Sequence, residues 1–225
     1  MFYSQCNEDK IIYEKYIKDI HIDNPIYLEM GAMDGLYTSN TLFFEKELNW
    51  TGILIEPHPI NFSNLLVNRP NNKLFNCLVS NNSDEIEYIY YDIINLSGIS
   101  GVKNTLTKNN IDIFYTKNNP WISSMIDNNQ YTIMMKPRTL TDIIHESKVS
   151  KIDFFSLDVE GHELNVIKSF DWSIPVNIFL IENNTDTNTI NQIMISKDYK
   201  IVEIIGPNTL YILNSFYNLH YANKL

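Results

Sequence analysis

Short apolar runs alternate along the chain with segments in which apolar residues recur at helical spacing. Runs long enough for buried strands occupy residues 26–30, 51–55, 152–157 and 176–181. Two further strands are predicted at 73–79 and 86–91, and the second alternates apolar and polar residues as a less buried strand does. Helices are predicted between these strands, at 38–48, 60–68, 139–147 and 189–197 and after residue 161.

The chain ends and one internal segment depart from this alternation. Helical spacing predicts an N-terminal helical segment at about residues 8–20, which ends before Pro25. Residues 95–136 are rich in Asn, Ser, Thr and Gly, so we expect a loop-rich insertion near the functional site that influences substrate choice. The last two predicted strands, 199–205 and 209–214, are separated by a Gly-Pro-Asn turn and indicate an antiparallel hairpin.

The order of these elements predicts an α/β fold of the Rossmann-like type. We expect a mostly parallel, seven-stranded sheet with helices on both faces and a C-terminal antiparallel hairpin. The length of 225 residues is sufficient for one substantial core, which favours a single domain spanning residues 1–225.

The amino-acid composition limits the kinds of binding partner and the cellular compartment that we expect for this protein. The formal net charge of -10 and the lack of a basic stripe disfavour a nucleic-acid partner, because phosphate binding needs clustered Lys and Arg. No window approaches eighteen apolar residues, so no membrane span is predicted. Cys6 and Cys77 are the only cysteines and lack a metal-type spacing, which suits a reducing compartment. We therefore expect a cytoplasmic protein, in the cytoplasm of the host cell if the source is viral.

The segment from Glu29 to Gly35 follows the first predicted strand and precedes a helix, where a glycine loop often binds a nucleotide. It lacks the three glycines of a dinucleotide loop, and Glu29 and Asp34 repel phosphate. S-adenosylmethionine carries a sulfonium and an ammonium but no phosphate, so acidic residues suit it. Glu56 ends the second strand, where a carboxylate can accept hydrogen bonds from ribose hydroxyls. A tight turn without a ligand is the alternative for the loop.

Polar residues also follow the predicted strand at 152–157. Asp158, Glu160 and His162 lie between this strand and a helix, at the sheet edge where α/β proteins bind ligands. His162 titrates near neutrality and is a candidate base for removing a hydroxyl proton, with Glu160 orienting it or acting as the base instead. The alternatives are that His162 caps the helix and that Glu163 only complements the helix dipole.

Glu182 ends the next predicted strand, so its carboxylate is expected to approach that of Asp158. Oxygen ligands from Asp158, Glu182 and either Asn183 or Glu160 match a hard cation such as Mg²⁺. An ordinary polar exit from the strand is the alternative for Glu182 and Asn183. Ser39 and Asn40 either cap the helix after the glycine loop or face a cofactor bound there.

Taken in order, these motifs resemble the FkbM family of S-adenosylmethionine-dependent methyltransferases. The resemblance covers most of residues 4–183, and its motifs are Ser4-Gln5 with Glu8-Asp9, Glu29 to Gly35 followed by Ser39-Asn40-Thr41, Trp50-Thr51-Gly52 leading to Ile55-Glu56-Pro57, and Leu157 to Glu163. It implies a class I methyltransferase fold and O-methylation of a sugar or polyketide-type hydroxyl.

The resemblance also implies roles for particular residues. The cofactor contacts carried over or adjacent to the motif are Glu29, Gly31, Ala32, Asp34, Gly35, Ser39, Asn40, Glu56 and Pro57. Asp158, Glu160 and His162 correspond to the acceptor side of the site. Asn183 stands where related sugar O-methyltransferases often have a second acid, and this departure weakens the case for a metal.

The sequence therefore predicts an S-adenosylmethionine-dependent O-methyltransferase that acts on a hydroxyl of a sugar, glycan or related small molecule. Mg²⁺ is a second candidate cofactor. A homodimer is a candidate oligomeric state. A degenerate methyltransferase fold that serves as a binding module is the main alternative. An NAD-dependent oxidoreductase is a weaker one, since the glycines of its loop are absent.

Overall fold

The structure is a computed structural model that describes residues 1–92, 97–106, 128–183 and 186–221. Within these ranges the strands are β1 (Ile26–Met30), β2 (Thr51–Ile55), β3 (Lys73–Phe75), β4 (Ile86–Tyr91), β5 (Gly101–Val102), β6 (Gln130–Met135), β7 (Ile152–Leu157), β8 (Val176–Glu182), β9 (Tyr199–Ile205) and β10 (Asn208–Leu213). The helices are α1 (Glu8–Ile12), α2 (Leu42–Leu48), α3 (Pro59–Asn68), α4 (Leu140–Ser147), α5 (Glu163–Lys168), α6 (Thr187–Ser196) and α7 (Asn214–His220).

The main sheet has seven strands in the order β3-β2-β1-β7-β8-β10-β9. Every neighbouring pair is parallel except those of β10, which runs antiparallel to both β8 and β9. This topology confirms the predicted fold class and the C-terminal hairpin. It brings the carboxyl ends of β1, β2, β7 and β8 to one edge of the sheet, which is where ligands bind in such folds.

Helices cover both faces of this sheet, as the uninterrupted apolar strands require. All six residues of β7 are buried, because β1 and β8 flank the strand and a core cluster lies on each side of it. One core cluster includes side chains of α4, α5 and α6. The other includes side chains of α1, α2, α3 and α7. No helix in the described ranges is long and apolar enough to cross a membrane.

Two helix starts show how local side chains set the boundaries. The hydroxyl of Thr139 accepts a hydrogen bond from the Asp142 N–H at 3.1 Å and so caps the start of α4. By contrast, α2 starts at Leu42 and not near residue 38. Thr38 has a left-handed φ of 52°, and the residues after it hydrogen-bond to the buried Glu29 instead of extending the helix.

The third strand of the main sheet is shorter than predicted and ends at Phe75. The next residue, Asn76, donates its side-chain amide to the backbone oxygens of Glu56 and Pro57 at 2.8 and 3.1 Å. The chain then leaves the ladder, and Val79 forms only an isolated parallel bridge with Arg138.

A second, three-stranded antiparallel sheet has the order β5-β4-β6. Its strands β5 and β6 belong to the segment predicted to be a loop-rich insertion, of which residues 107–127 lie outside the described part. Leu78, Tyr88 and Val102 form a small core under this sheet. The N-terminal segment is helical near its predicted position, with α1 continuing into a π-helical turn at Tyr13–Ile17.

Candidate active site

A pocket opens at the carboxyl ends of β1, β2 and β7 and is covered by the second sheet. It holds about 630 Å³ of space not filled by protein atoms, part of it open to solvent, which is within the usual size of ligand pockets. Its wall includes Gly31, Glu56 and Pro57 on one side and Asp158, Glu160 and His162 on the other. Six of the predicted site residues therefore line one pocket, and none of its described lining residues is a lysine or arginine.

The ends of β1 and β7 meet at Gly31. A Cβ atom on this residue would lie 1.9 Å from the backbone oxygen of Asp158, and its φ of 74° is left-handed. The backbone N–H groups of Gly31 and Ala32 both donate to the oxygen of Ile55, at 3.2 and 3.3 Å. Glycine is required here because backbone from the neighbouring strand occupies the place of a side chain.

Glu56 stands at the end of β2 with its carboxylate in the pocket wall. One oxygen accepts the Met33 N–H at 2.7 Å, and the other accepts the His58 N–H at 2.7 Å. Burial nevertheless raises the pKa of Glu56 to about 7. Each carboxylate oxygen has a further lone pair, so the residue can accept hydrogen bonds from two ligand hydroxyls.

Glu29 has a different position from Glu56, because it lies beneath the loop and outside the pocket lining. Its buried carboxylate accepts the hydroxyls of Ser39 and Thr41 at 2.8 and 2.6 Å and the backbone N–H of Asn40 at 2.7 Å. The Asn40 side chain donates to Ser156 at 2.9 Å. Glu29, Ser39 and Asn40 thus fasten the loop to the sheet, and a direct cofactor contact for them stays a prediction.

The other predicted loop residues also have structural partners. One Asp34 carboxylate oxygen accepts the backbone N–H groups of Leu36 and Tyr37 at 2.9 and 2.8 Å, which closes a turn. Gly35 has a φ of 80°, and Ala32 is buried in the core. None of these three residues lines the pocket, so their role as cofactor contacts likewise stays a prediction.

Arg69 organises this loop, although no sequence pattern pointed to it. Its fully buried guanidinium donates to the Gly35 backbone oxygen and the Tyr27 hydroxyl at 2.8 Å each and forms an ion pair with Glu45. It also donates to Ser39 and Thr41, at 3.3 Å each, and so places a positive charge beside the group that holds Glu29. Burial raises the pKa of Glu29, and the Arg69 charge opposes that rise.

On the other side of the pocket, three acids come together and are called the acid trio here: Asp158, Glu160 and Glu182. Their ligand oxygens all lie within 4.8 Å of one another. Burial, followed by repulsion among the acids, raises the pKa of Glu160 to about 9 and of Glu182 to about 11, and burial also raises that of Asp158. Near neutral pH the trio therefore retains protons unless a cation approaches it.

Of the two candidates for the third ligand beside Asp158 and Glu182, the structure brings Glu160 into the trio and not Asn183. The Asn183 side-chain oxygen accepts the Thr209 hydroxyl at 2.6 Å, and the Asn183 backbone N–H donates to the Pro207 backbone oxygen. Glu160 has a left-handed φ of 55°. A further acid, Glu8, receives hydrogen bonds from Cys6 and Asn208 and is near enough for its charge to act on Asp158.

His162 lines the pocket but has partners at both ring nitrogens. Nε2 lies 3.1 Å from the Ser80 hydroxyl and Nδ1 lies 3.2 Å from the Asn165 amide nitrogen. Because that amide nitrogen is a donor, Nδ1 is the acceptor and Nε2 carries the hydrogen. Burial lowers the pKa of His162 to about 4. His162 occupies the N-cap position of α5 without a capping hydrogen bond from its side chain, and its buried ring packs at the helix start, as the alternative that it caps or packs there expects.

Glu163 has a more specific contact than an interaction with the helix dipole. One carboxylate oxygen accepts the backbone N–H groups of Val159 and Gly161, at 3.0 and 3.1 Å. It thereby shapes the turn that presents Asp158 and Glu160 to the pocket. Burial raises the pKa of Glu163 to about 7.

The strand order with one reversed strand and the pocket at the strand ends define a protein of the class I, Rossmann-like methyltransferase fold. A family model described as the methyltransferase FkbM domain matches residues 29–201. The chain belongs to the FkbM methyltransferase family, as its motifs indicated, and is a methyltransferase. The matched region includes Glu56 and the whole acid trio. A search of curated proteins finds no match.

The Arg69 network predicts a large loss of stability when its charge is removed. We expect Arg69→Met to lower the free energy of unfolding by about 3–5 kcal/mol, because buried Glu29 and partly exposed Glu45 lose their countercharge. Urea denaturation measures this change. Arg138→Met is the matched control, since Arg138 pairs with Glu146 at the surface and should matter by less than about 1 kcal/mol. Equal losses in both variants would contradict the assignment.

Proposed function

We propose that the protein is an S-adenosylmethionine-dependent O-methyltransferase that acts on a hydroxyl of a sugar, glycan or related small molecule. The observation that carries the proposal is that Glu56 lines the same pocket as two members of the acid trio, Asp158 and Glu160, with Glu182 close to both. Glu56 suits a ribose, and the trio suits a hydroxyl that must lose its proton. Family membership supplies the methyl-transfer chemistry.

The residues around the pocket fit this cofactor better than a dinucleotide. Gly31 lets the loop after β1 pack directly against the Asp158 backbone at this end of the pocket, and both oxygens of Glu56 can accept from ribose hydroxyls. The carboxylates of the trio favour a ligand with positive charge and disfavour a pyrophosphate. When bound, S-adenosylmethionine would supply a methyl carbon made electrophilic by its sulfonium.

The acceptor oxygen would displace the neutral thioether from this methyl carbon in line. The part of the step that belongs to this chain's own residues would be to position the acceptor hydroxyl and to take up its proton at a carboxylate of the trio. Glu160 is the best placed of these, because it lines the pocket and its side chain accepts no hydrogen bond from the described residues. Approach of a cation lowers its pKa and makes it available as the base.

A hydroxyl-rich acceptor agrees with the chemistry of the pocket. Carboxylates accept hydrogen bonds from neighbouring hydroxyls of a sugar, and the rest of the lining offers apolar side chains such as Val159 and Val102 for its ring face. The acidic wall disfavours a phosphorylated acceptor. These features support a neutral sugar or glycan as the acceptor.

A cytoplasmic location, in the host cell if the source is viral, is part of the proposal. The two free cysteines and the acidic composition support it. The same composition supports the absence of nucleic-acid partners, and we propose no membrane partner. A homodimer stays a prediction, which light scattering after size-exclusion chromatography tests.

The proposal predicts cofactor binding that weakens at low pH. Ribose hydroxyls favour ionised Glu56, whose pKa is about 7 in the free protein, so binding below pH 7 must also displace a proton. We expect the dissociation constants for S-adenosylmethionine and S-adenosylhomocysteine to rise by up to about tenfold per pH unit below 7. Isothermal titration calorimetry between pH 6 and 8 measures them.

The variant Glu56→Gln is the control, since it should bind weakly with little pH dependence over this range. If the wild-type protein binds neither ligand at any pH, the proposal is rejected and the alternative of a methyltransferase fold that serves as a binding module is favoured. Binding of NAD in their place would favour the oxidoreductase alternative.

Substitutions on the two sides of the pocket should affect different quantities, cofactor affinity on the Glu56 side and turnover on the side of Glu160 and His162. We expect Glu56→Ala to weaken cofactor binding, whereas His162→Ala and Glu160→Gln should spare binding and lower turnover. Glu160→Gln should have the larger effect, because both nitrogens of His162 are already hydrogen-bonded. Transfer of a labelled methyl group to a panel of mono- and oligosaccharides measures turnover. Equal loss of cofactor binding in all three variants would refute this division.

A divalent cation at the acid trio is a separate proposal. Its three carboxylates match the oxygen ligands of Mg²⁺, which would supply a Lewis acid at the acceptor hydroxyl. We expect Glu160→Gln to weaken Mg²⁺ binding by at least about tenfold in calorimetry, with Asn183→Ala unchanged as the matched control. The reverse pattern would restore Asn183 as a ligand, and no Mg²⁺ binding by the wild type would reject the site.

A further inference from the structure

Tyr88 is a buried residue of the second sheet, and its hydroxyl makes no hydrogen bond to any of the described residues. It is only 3% exposed and lines the pocket from β4. Within the part of the chain that the structure describes, its hydroxyl has no hydrogen-bond partner. Among the described residues, the fully buried side-chain polar atoms without a partner belong to Asn61 and Ser147. The Tyr88 hydroxyl is not one of them, so it retains some exposure, and because Tyr88 lines the pocket this exposure is toward the pocket.

The ring of Tyr88 is held in a fixed place. Its strand is paired on both sides, opposite Val102 of β5 and Ile133 of β6. Leu78 and Val102 pack with it in the small core under the second sheet. A ligand that used the hydroxyl would therefore meet a group that is already positioned, which limits the entropy lost on binding.

The surroundings of the hydroxyl determine that it acts as a donor. Burial raises the pKa of Tyr88 well above its usual value, and the charges of Glu56 and then Glu160 add to the rise. Tyr88 therefore keeps its proton at any physiological pH. The strand of Tyr88 lies at the end of the pocket where Glu56 is, because its residue Tyr90 packs on His58, two residues after Glu56. The stronger influence of Glu56 on the pKa of Tyr88 agrees with this position.

A hydroxyl that faces a pocket and has no partner among the described residues is available to donate to a ligand there, and a few polar groups of this kind fix the orientation of a bound ligand. We propose that Tyr88 donates its hydrogen to a ribose hydroxyl of the bound cofactor, while that hydroxyl donates to Glu56. This inference rests on the proposed function. One ribose hydroxyl would then accept a hydrogen bond from Tyr88 and donate one to Glu56, so both its donor and its acceptor capacity would be satisfied.

The second sheet acquires a function from this contact. Its strands β4 and β5 bring Tyr88, Ser100 and Val102 over the pocket, so they form part of the cofactor site as well as its cover. An acceptor hydroxyl held by Glu160 is the competing partner for Tyr88. S-adenosylhomocysteine distinguishes the two, since it contains the ribose and no acceptor.

The test is calorimetry with S-adenosylhomocysteine on the wild type, Tyr88→Phe and Tyr90→Phe. Tyr88→Phe deletes one unbonded hydroxyl and should leave thermal unfolding unchanged. We expect it to raise the dissociation constant about three- to tenfold, the effect of one neutral hydrogen bond. Tyr90→Phe is the matched control, because Tyr90 lies two residues along the same strand and packs on His58 and Tyr131 outside the pocket lining.

The 2′-deoxy and 3′-deoxy analogues of S-adenosylhomocysteine identify the hydroxyl. With one of them the wild type and Tyr88→Phe should bind equally, because the partner of Tyr88 has been removed from the ligand. An unchanged affinity of Tyr88→Phe for S-adenosylhomocysteine, or an equal loss with every analogue, overturns the inference alone. A wild type that binds no S-adenosylhomocysteine overturns the proposed function and this inference together.

Discussion

Burial of negative charge at the carboxyl ends of the central strands is the constraint on which the site depends. The protein meets it in different ways at neighbouring positions. Glu29 receives two hydroxyls, one backbone N–H and the nearby charge of Arg69, and Glu56 and Glu163 each receive two backbone N–H groups. The acid trio has a different arrangement: Asp158 accepts the backbone N–H of Glu160 and shares a hydrogen bond with Glu182, yet the pKa values of all three acids are raised. Acids with raised pKa values are therefore concentrated where a ligand with positive charge would bind.

The same distinction separates residues that shape the site from those that face it. Glu29 is the fourth residue of β1 and Glu56 directly follows β2, yet only Glu56 lines the pocket. Asp158 and Glu163 belong to one short turn, but Glu163 is turned inward to hold backbone N–H groups. Each of these motifs thus contains both pocket-lining groups and groups that position them.

Sequence reasoning found the elements whose signals are local. Buried apolar runs gave the strands of the main sheet and their order of appearance, and the strand ends identified Glu56, Asp158, Glu160 and Glu182. Contacts between distant residues have no periodic signature, so Arg69 beneath the glycine loop and Tyr88 above the pocket were not predicted. The same reason explains the late start of α2, which depends on Glu29 eleven and twelve residues away from its partners Asn40 and Thr41.

The close approach of Gly31 to Asp158 joins the two halves of the pocket mechanically. The loop after β1 rests directly on the backbone of the turn after β7, with no side chain between them to absorb a displacement. The Asp158 N–H also donates to the Met30 oxygen at 3.3 Å, so a second backbone contact joins these segments. A displacement of the loop would therefore shift the turn that carries Asp158 and Glu160, and these two walls of the pocket would move as one unit.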